Sequence, residues 1–168
     1  MYFSVKNPEP VKNLEIERKF LVNKGVWNAL EKPMGVRYLQ GYLCIDSEKT
    51  IRVRLAGDCG FLTIKGRSDT FSHPEFEYSV PRDEAAELIL KFTPHPVEKL
   101  RYRIPAGEHV FEVDEFHGKN GGLIIAEIEL NSPDESFEKP SWLAEEVTAE
   151  ERYYNANLSL HPYEEWSK

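Results

Sequence analysis

The chain has 168 residues, a length that suggests one domain with a core large enough to stand without staples. Hydrophobic residues make up 40% and charged residues 30%, which excludes a disordered chain, and no apolar run approaches the length of a transmembrane helix. The net charge of −8, from 29 acids against 21 bases, argues against general nucleic-acid binding while leaving room for a local basic site.

Residues 1–12 read as an N-terminal tail without the apolar stretch of a signal peptide, and 13–168 as a single domain. The dominant pattern is period-2 alternation, the mark of half-buried strands. It predicts eight strands, at 14–22, 36–45, 50–56, 60–66, 73–80, 97–105, 109–117 and 122–130. Turn signals stand between many of them, including Ala56-Gly57-Asp58, Pro105-Ala106-Gly107 and the glycine-rich run from Gly118 to Gly122. Helices are few. A short one is expected over 24–31, and a second from Pro81 to Leu90, with acids in its first turn. Thr148-Ala149-Glu150-Glu151 is a capping-box pattern that predicts a third, running toward Leu160. Cys44 and Cys59 have no metal-ligand spacing and are expected to be reduced thiols, as in a cytoplasmic protein.

Side chains on a strand alternate between two faces, so the charges can be sorted. Glu15, Glu17 and Lys19 share one face; Arg52 and Arg54 another; Lys65 lies with Thr63 and Phe61. Glu75 and Glu77 pair in this way, as do Lys99, Arg101 and Arg103, then Glu112 and Asp114, then Glu127 and Glu129. Two readings are open. These rows form a solvated outer face over an ordinary core, or they line a closed, water-filled barrel whose apolar faces point outward under helices or a partner subunit. Like charges two residues apart repel, and a sequence holds such doublets more readily if something binds between them. Clustered carboxylates suit a hard divalent cation, and clustered Arg and Lys suit phosphate oxygens. A site with both suits a metal–polyphosphate complex.

From Glu15-Ile16-Glu17-Arg18-Lys19-Phe20 onward the chain resembles the CYTH family of triphosphate tunnel metalloenzymes, and most closely the short bacterial inorganic triphosphatases. The first motif is ExExK. In order follow Gln40-Gly41-Tyr42-Leu43, Arg52-Val53-Arg54, Leu62-Thr63-Ile64-Lys65, Glu75-Phe76-Glu77, Lys99-Leu100-Arg101, Glu112-Val113-Asp114, Glu127-Ile128-Glu129 and the C-terminal Glu146-Val147-Thr148 with Arg152-Tyr153-Tyr154-Asn155. The resemblance implies a mainly β (α+β) fold, an eight-stranded antiparallel closed barrel or tunnel with a charged lumen and a few flanking helices. It implies hydrolysis of inorganic triphosphate to diphosphate and phosphate with Mg²⁺ or Mn²⁺. By position, Lys19, Arg52, Arg54, Lys65, Arg101 and Arg103 would hold phosphates. Glu15, Glu17, Asp114, Glu127 and Glu129 would bind metal, with Glu75, Glu77 and Glu112 as supporting lumen charges. Tyr42 and Lys99 match the pair implicated in catalysis; a nearby ammonium would lower the phenol's pKa and suit it to act as a base on water. His73 stands where these relatives often carry Arg, which puts one phosphate contact in doubt. Class IV adenylyl cyclase, thiamine or nucleoside triphosphatase, and a non-catalytic polyphosphate binder are the competing functions. No nucleic acid or membrane partner is expected. The outward apolar faces make a homodimer plausible.

Overall fold

The computed structural model describes residues 16–66 and 75–166. Nine antiparallel strands form one sheet: β1 (Ile16–Val22), β2 (Val36–Ile45), β3 (Lys49–Ala56), β4 (Cys59–Gly66), β5 (Glu75–Val80), β6 (Val97–Ala106), β7 (His109–Phe116), β8 (Ile124–Leu130) and β9 (Leu143–Glu146). Their order across the sheet is β5-β4-β3-β2-β6-β7-β8-β1-β9. The helices are α1 (Lys24–Ala29), α2 (Arg82–Phe92) and α3 (Asn155–Leu160). None is long and apolar enough to cross a membrane.

The eight expected strands are present, and β9 is an addition. β9 pairs with the outer edge of β1, Phe20 opposite Glu146 and Val22 opposite Leu143. It thereby takes the edge through which a ring of eight would close. Among the described residues, β5 and β9 are the two ends of an open ladder, so the expected closed barrel is not what the pairing gives. The sheet is nonetheless strongly curled. Tyr42 on β2 feels the charges of Glu127 on β8 and Lys19 on β1, three and four strands away. In a flat sheet those strands would be about 14 and 19 Å distant.

The convex face is apolar and largely covered. α1 is capped by Asn23, whose side chain accepts from the amides of Gly25 and Val26. It presents Trp27, fully buried, to Trp142, Tyr102 and the outward residues of β1, β7 and β8, among them Phe20, Val113 and Ile128. α2 seats Ala85 and Ile89 on Val53 and Leu55 of β3. Its end lies so close to β2 that a Cβ at Gly41 would meet Thr93 side-chain atoms at 2.3–2.6 Å. Thr93 is itself fixed there, its hydroxyl donating to the Ile89 carbonyl at 2.7 Å.

The concave face is charged over part of its length and apolar at one end. Leu21, Val97, Phe116 and Ile125 share strand faces with Lys19, Lys99, Asp114 and Glu127, yet they pack with Leu123, Val147, Tyr153 and Leu158 in a separate apolar cluster. The C-terminal segment closes that end. It also departs from the expected helix. Thr148 does not cap one, because its hydroxyl accepts from the Lys19 amide at 3.0 Å and lies 2.8 Å from Glu146 Oε1. The chain instead makes a 3-10 turn at Glu151–Tyr153, and α3 begins only at Asn155.

Candidate active site

Cross-strand register assembles the charged part of the concave face. On β1 and β8, Lys19 stands opposite Glu127 and Glu17 opposite Glu129. On β6 and β7, Arg101 stands opposite Asp114 and Arg103 opposite Glu112. On β2 and β3, Tyr42 stands opposite Arg52 and Gln40 opposite Arg54. On β4, Thr63 lies between Arg52 and Glu77, and Lys65 opposite Glu75. Parity alone therefore placed these residues on one face, and the curl brings several of them into contact.

Lys19 Nζ bridges two carboxylates, Glu17 at 2.7 Å and Glu127 at 2.5 Å. Burial works against the Lys19 charge, but the two acids outweigh it and raise its pKa. Glu17 keeps an exposed edge but is packed among neighbouring strands and crowded by Glu127, and it is pushed up to about 7 despite Lys19. Glu127 is buried too, yet Lys19, Lys99 and Arg101 hold it ionised and well below the usual carboxylate range. Arg101 spans Asp114 through two nitrogens, reaches Glu127 at 3.2 Å, and also pairs with Glu112.

Lys99 and Asp114 are each 1% exposed and meet at 2.6 Å. Burial pulls the Lys99 ammonium below its ordinary pKa, with Asp114 opposing. Tyr42 is half-buried, and its partial removal from water raises the phenol's pKa while Arg52 pulls it down. Gln40 Nε2 donates to the Tyr42 oxygen at 3.2 Å. Among the described residues no hydrogen bond joins Tyr42 to Lys99. The cation acting most on Tyr42 is Arg52, because Lys99 is turned into Asp114.

The β3–β5 side is less fully paired. Arg54 reaches Glu77 at 3.0 Å and Arg52 at 3.8 Å; Thr63 donates to the same carboxylate at 2.8 Å. The Nε–H groups of Arg52 and Arg54 are buried and have no acceptor among the described residues. Burial and the neighbouring Arg52 lower the Arg54 pKa. Lys65 pairs with Glu75 at 2.7 Å and remains 40% exposed. Arg103 is 70% exposed and pairs with Glu112 at 3.2 Å, at the margin of the site. Glu129 is exposed on the same face. Glu15 and His73 lie outside the described residues.

The acids have the all-oxygen chemistry a hard divalent cation requires. Glu17 and Glu127 share one ammonium, and the ionised Glu127 raises the proton affinity of Glu17, a condition that a divalent cation would relieve. No group of three or more potential ligands is already gathered among the described residues. Asp114 in particular is saturated by Lys99 and Arg101.

Tyr38, Gln40, Phe61 and Thr63 complete the site. Gln40 and Thr63 stand in the motifs and Phe61 shares the parity of Lys65, whereas Tyr38, uncharged and outside every motif, is marked only by lying on the Tyr42 face of its strand.

Comparison with known proteins is consistent with this geometry. Residues 13–162 match the CYTH domain family. The chain is 45% identical over 155 residues to an inorganic triphosphatase of Acetivibrio thermocellus, covering 92% of this chain and 98% of that protein. It is 35% identical over 151 residues to an inorganic triphosphatase of Nitrosomonas europaea, covering 87% and 97% respectively. The crystal structure of an inorganic triphosphatase superposes with a TM-score of 0.66 at 34% identity, over 87% of this chain and 94% of the other. With the family model matched over residues 13–162 and two relatives matched over nearly their whole length, the chain belongs to the CYTH domain family.

Proposed function

We infer that the protein is a metal-dependent triphosphatase that hydrolyses inorganic triphosphate to diphosphate and phosphate in its concave charged face, which serves as a tunnel around the polyanion. The observation that carries this reading is the pair of buried guanidinium Nε–H groups on Arg52 and Arg54, without an acceptor among the described residues, on a face otherwise rich in ion pairs. Buried donors of this kind are costly without an acceptor, and phosphate oxygens match a guanidinium fork. Lys19, Lys65, Arg101 and Arg103 add charge along the same face. Their convergence would offset the negative charge that spreads over equatorial and leaving oxygens during transfer.

Glu17, Glu127 and Glu129, with Glu15 beside them in sequence, are the residues assigned to Mg²⁺ or Mn²⁺. Asp114 acts at one remove, by holding Lys99 and Arg101. When bound, the metal supplies charge neutralisation of the phosphoanhydride oxygens. Tyr42 is assigned to the attacking water. Gln40 donates into the phenol oxygen and leaves the Tyr42 O–H free to orient that water, while Arg52 eases loss of its proton. Lys99 contributes a dry ammonium to the same site, where its field is strongest.

The test is phosphate release with Mg²⁺ or Mn²⁺ from inorganic triphosphate, thiamine triphosphate, ATP and GTP, with cyclic AMP assayed in parallel. The expected result is release from inorganic triphosphate at the highest kcat/KM and no cyclic AMP. Binding without release would leave a polyphosphate-binding protein, and cyclic AMP would make it a cyclase.

A further inference from the structure

Tyr38 sits on β2, between the two basic strands of the site. On one side β3 carries Arg54, and on the other β6 carries Lys99 and Arg101. All three cations lie over the Tyr38 ring. The Arg101 guanidinium carbon is 5.2 Å from its centroid, that of Arg54 5.7 Å, and Lys99 Nζ 5.9 Å. The register explains how. Lys99 is directly opposite Tyr38 on β6, and the β3 partner is Ala56, too small to fend Arg54 off. Phe61 gives the Arg54 guanidinium a second aromatic face at 5.4 Å.

Three positive groups drawn from two strands to one spot repel one another. Asp114 and Glu77 offset that repulsion, but as anions they also compete with a polyanion for the same donors. An aromatic face attracts cations through its quadrupole while carrying no net charge. We propose that Tyr38 is a positioning residue for the triphosphate reaction: its ring gathers Arg54, Lys99 and Arg101 so that one phosphate chain engages both basic strands, without itself repelling that chain. This inference rests on the triphosphatase reading and deepens it. The ring, not the hydroxyl, is the working part.

The test compares Tyr38→Phe, Tyr38→Trp and Tyr38→Leu in the full chain, by steady-state hydrolysis of inorganic triphosphate and by melting. Tyr38→Phe and Tyr38→Trp should keep KM within about twofold. Tyr38→Leu should raise KM about tenfold while kcat changes less than about threefold and the melting midpoint holds. An unchanged KM in Tyr38→Leu overturns the proposal. So does a rise in Tyr38→Phe equal to that in Tyr38→Leu, since the hydroxyl would then be the contact. Should Tyr38→Leu fail to fold, a raised KM in both aromatic variants overturns it, and a preserved KM in both supports it. Should the parent protein release no phosphate, the triphosphatase reading fails on its own. The Tyr38 assignment is then read by calorimetry with inorganic triphosphate, where the same ranking of Kd values supports it and equal values, or no binding by the parent, overturn it.

Discussion

On the β6–β8 side of the concave face, Lys99 and Arg101 converge on Asp114, Arg101 reaches on to Glu127, and Glu127 holds Lys19. On the β3–β5 side, Arg52 and Arg54 share the single carboxylate of Glu77, and each keeps a buried Nε–H without an acceptor among the described residues. The two sides carry the same residue types in opposite states. The first is a closed network in which each charge is already answered, and it behaves as a frame. The second has donors to spare, which is what the proposed triphosphate receptor requires. A substrate polyanion gains most where it satisfies groups the protein has left unmet.

Breaking the frame should produce the largest effect. Asp114→Ala leaves a fully buried ammonium without its anion and the Arg101 guanidinium with only Glu112 and Glu127, a change that costs about 3–5 kcal/mol. Chemical denaturation should show the loss as a lower midpoint, and activity should fall with it. Breaking the receptor should separate the two properties. Arg54→Ala removes hydrogen bonds to a charged ligand, each worth about 1.5–3 kcal/mol, so KM or Kd for inorganic triphosphate should rise about tenfold to a hundredfold while the melting midpoint moves little. A drop in stability as large as that of Asp114→Ala would show that the contrast between the sides is wrong.

Glu17 sharpens the comparison through pH. Its folded-state pKa of about 7 lies above the ordinary carboxylate value, so the protonated form is favoured by folding. That stabilisation is fully present below about pH 4.5 and is lost as pH rises through 7. In chelator, Glu17→Gln should therefore melt higher than the parent at pH 8, and the gap should narrow as pH falls toward 4.5. Added Mg²⁺ should raise the parent and not the variant. The smallest effect is expected at Glu77, which holds the receptor cations until a ligand arrives. Glu77→Gln should tighten metal-free binding of inorganic triphosphate about twofold to fivefold, in calorimetry at fixed salt.

Much of this was legible from alternation. Arg52 and Arg54, Lys99 and Arg101, and Glu127 and Glu129 fell on their faces because strand period is 2, and the motifs supplied the chemistry proposed for them. The partners within that face were not legible. Lys99 is matched to Tyr42 by motif, yet an acid two register positions along the neighbouring strand, Asp114, claims its ammonium, and Arg52 is left beside the phenol. β9 escaped because Leu143-Ala144-Glu145-Glu146 is four residues long and does not alternate. The α3 start was misplaced because Thr148 has a choice of partners. A backbone amide on β1 lies nearer in the fold than the amides of its own next turn. The apolar end of the concave face was hidden for the opposite reason: Val97, Phe116 and Ile125 alternate like core residues, and only the C-terminal segment reveals which way they point.

The close seat of Thr93 over Gly41 has a consequence for how this chain can vary. The β2 ribbon is one residue thick: Gly41 faces the outer helix, and its neighbours Gln40 and Tyr42 face the charged concave side where hydrolysis is proposed. A single methyl group grafted at position 41 would push α2 outward or bow the ribbon inward, and the second response would move a phenol oxygen. Mutational drift on the outside of the protein is thereby tethered to turnover on the inside, through a hydrogen atom that nothing larger can replace.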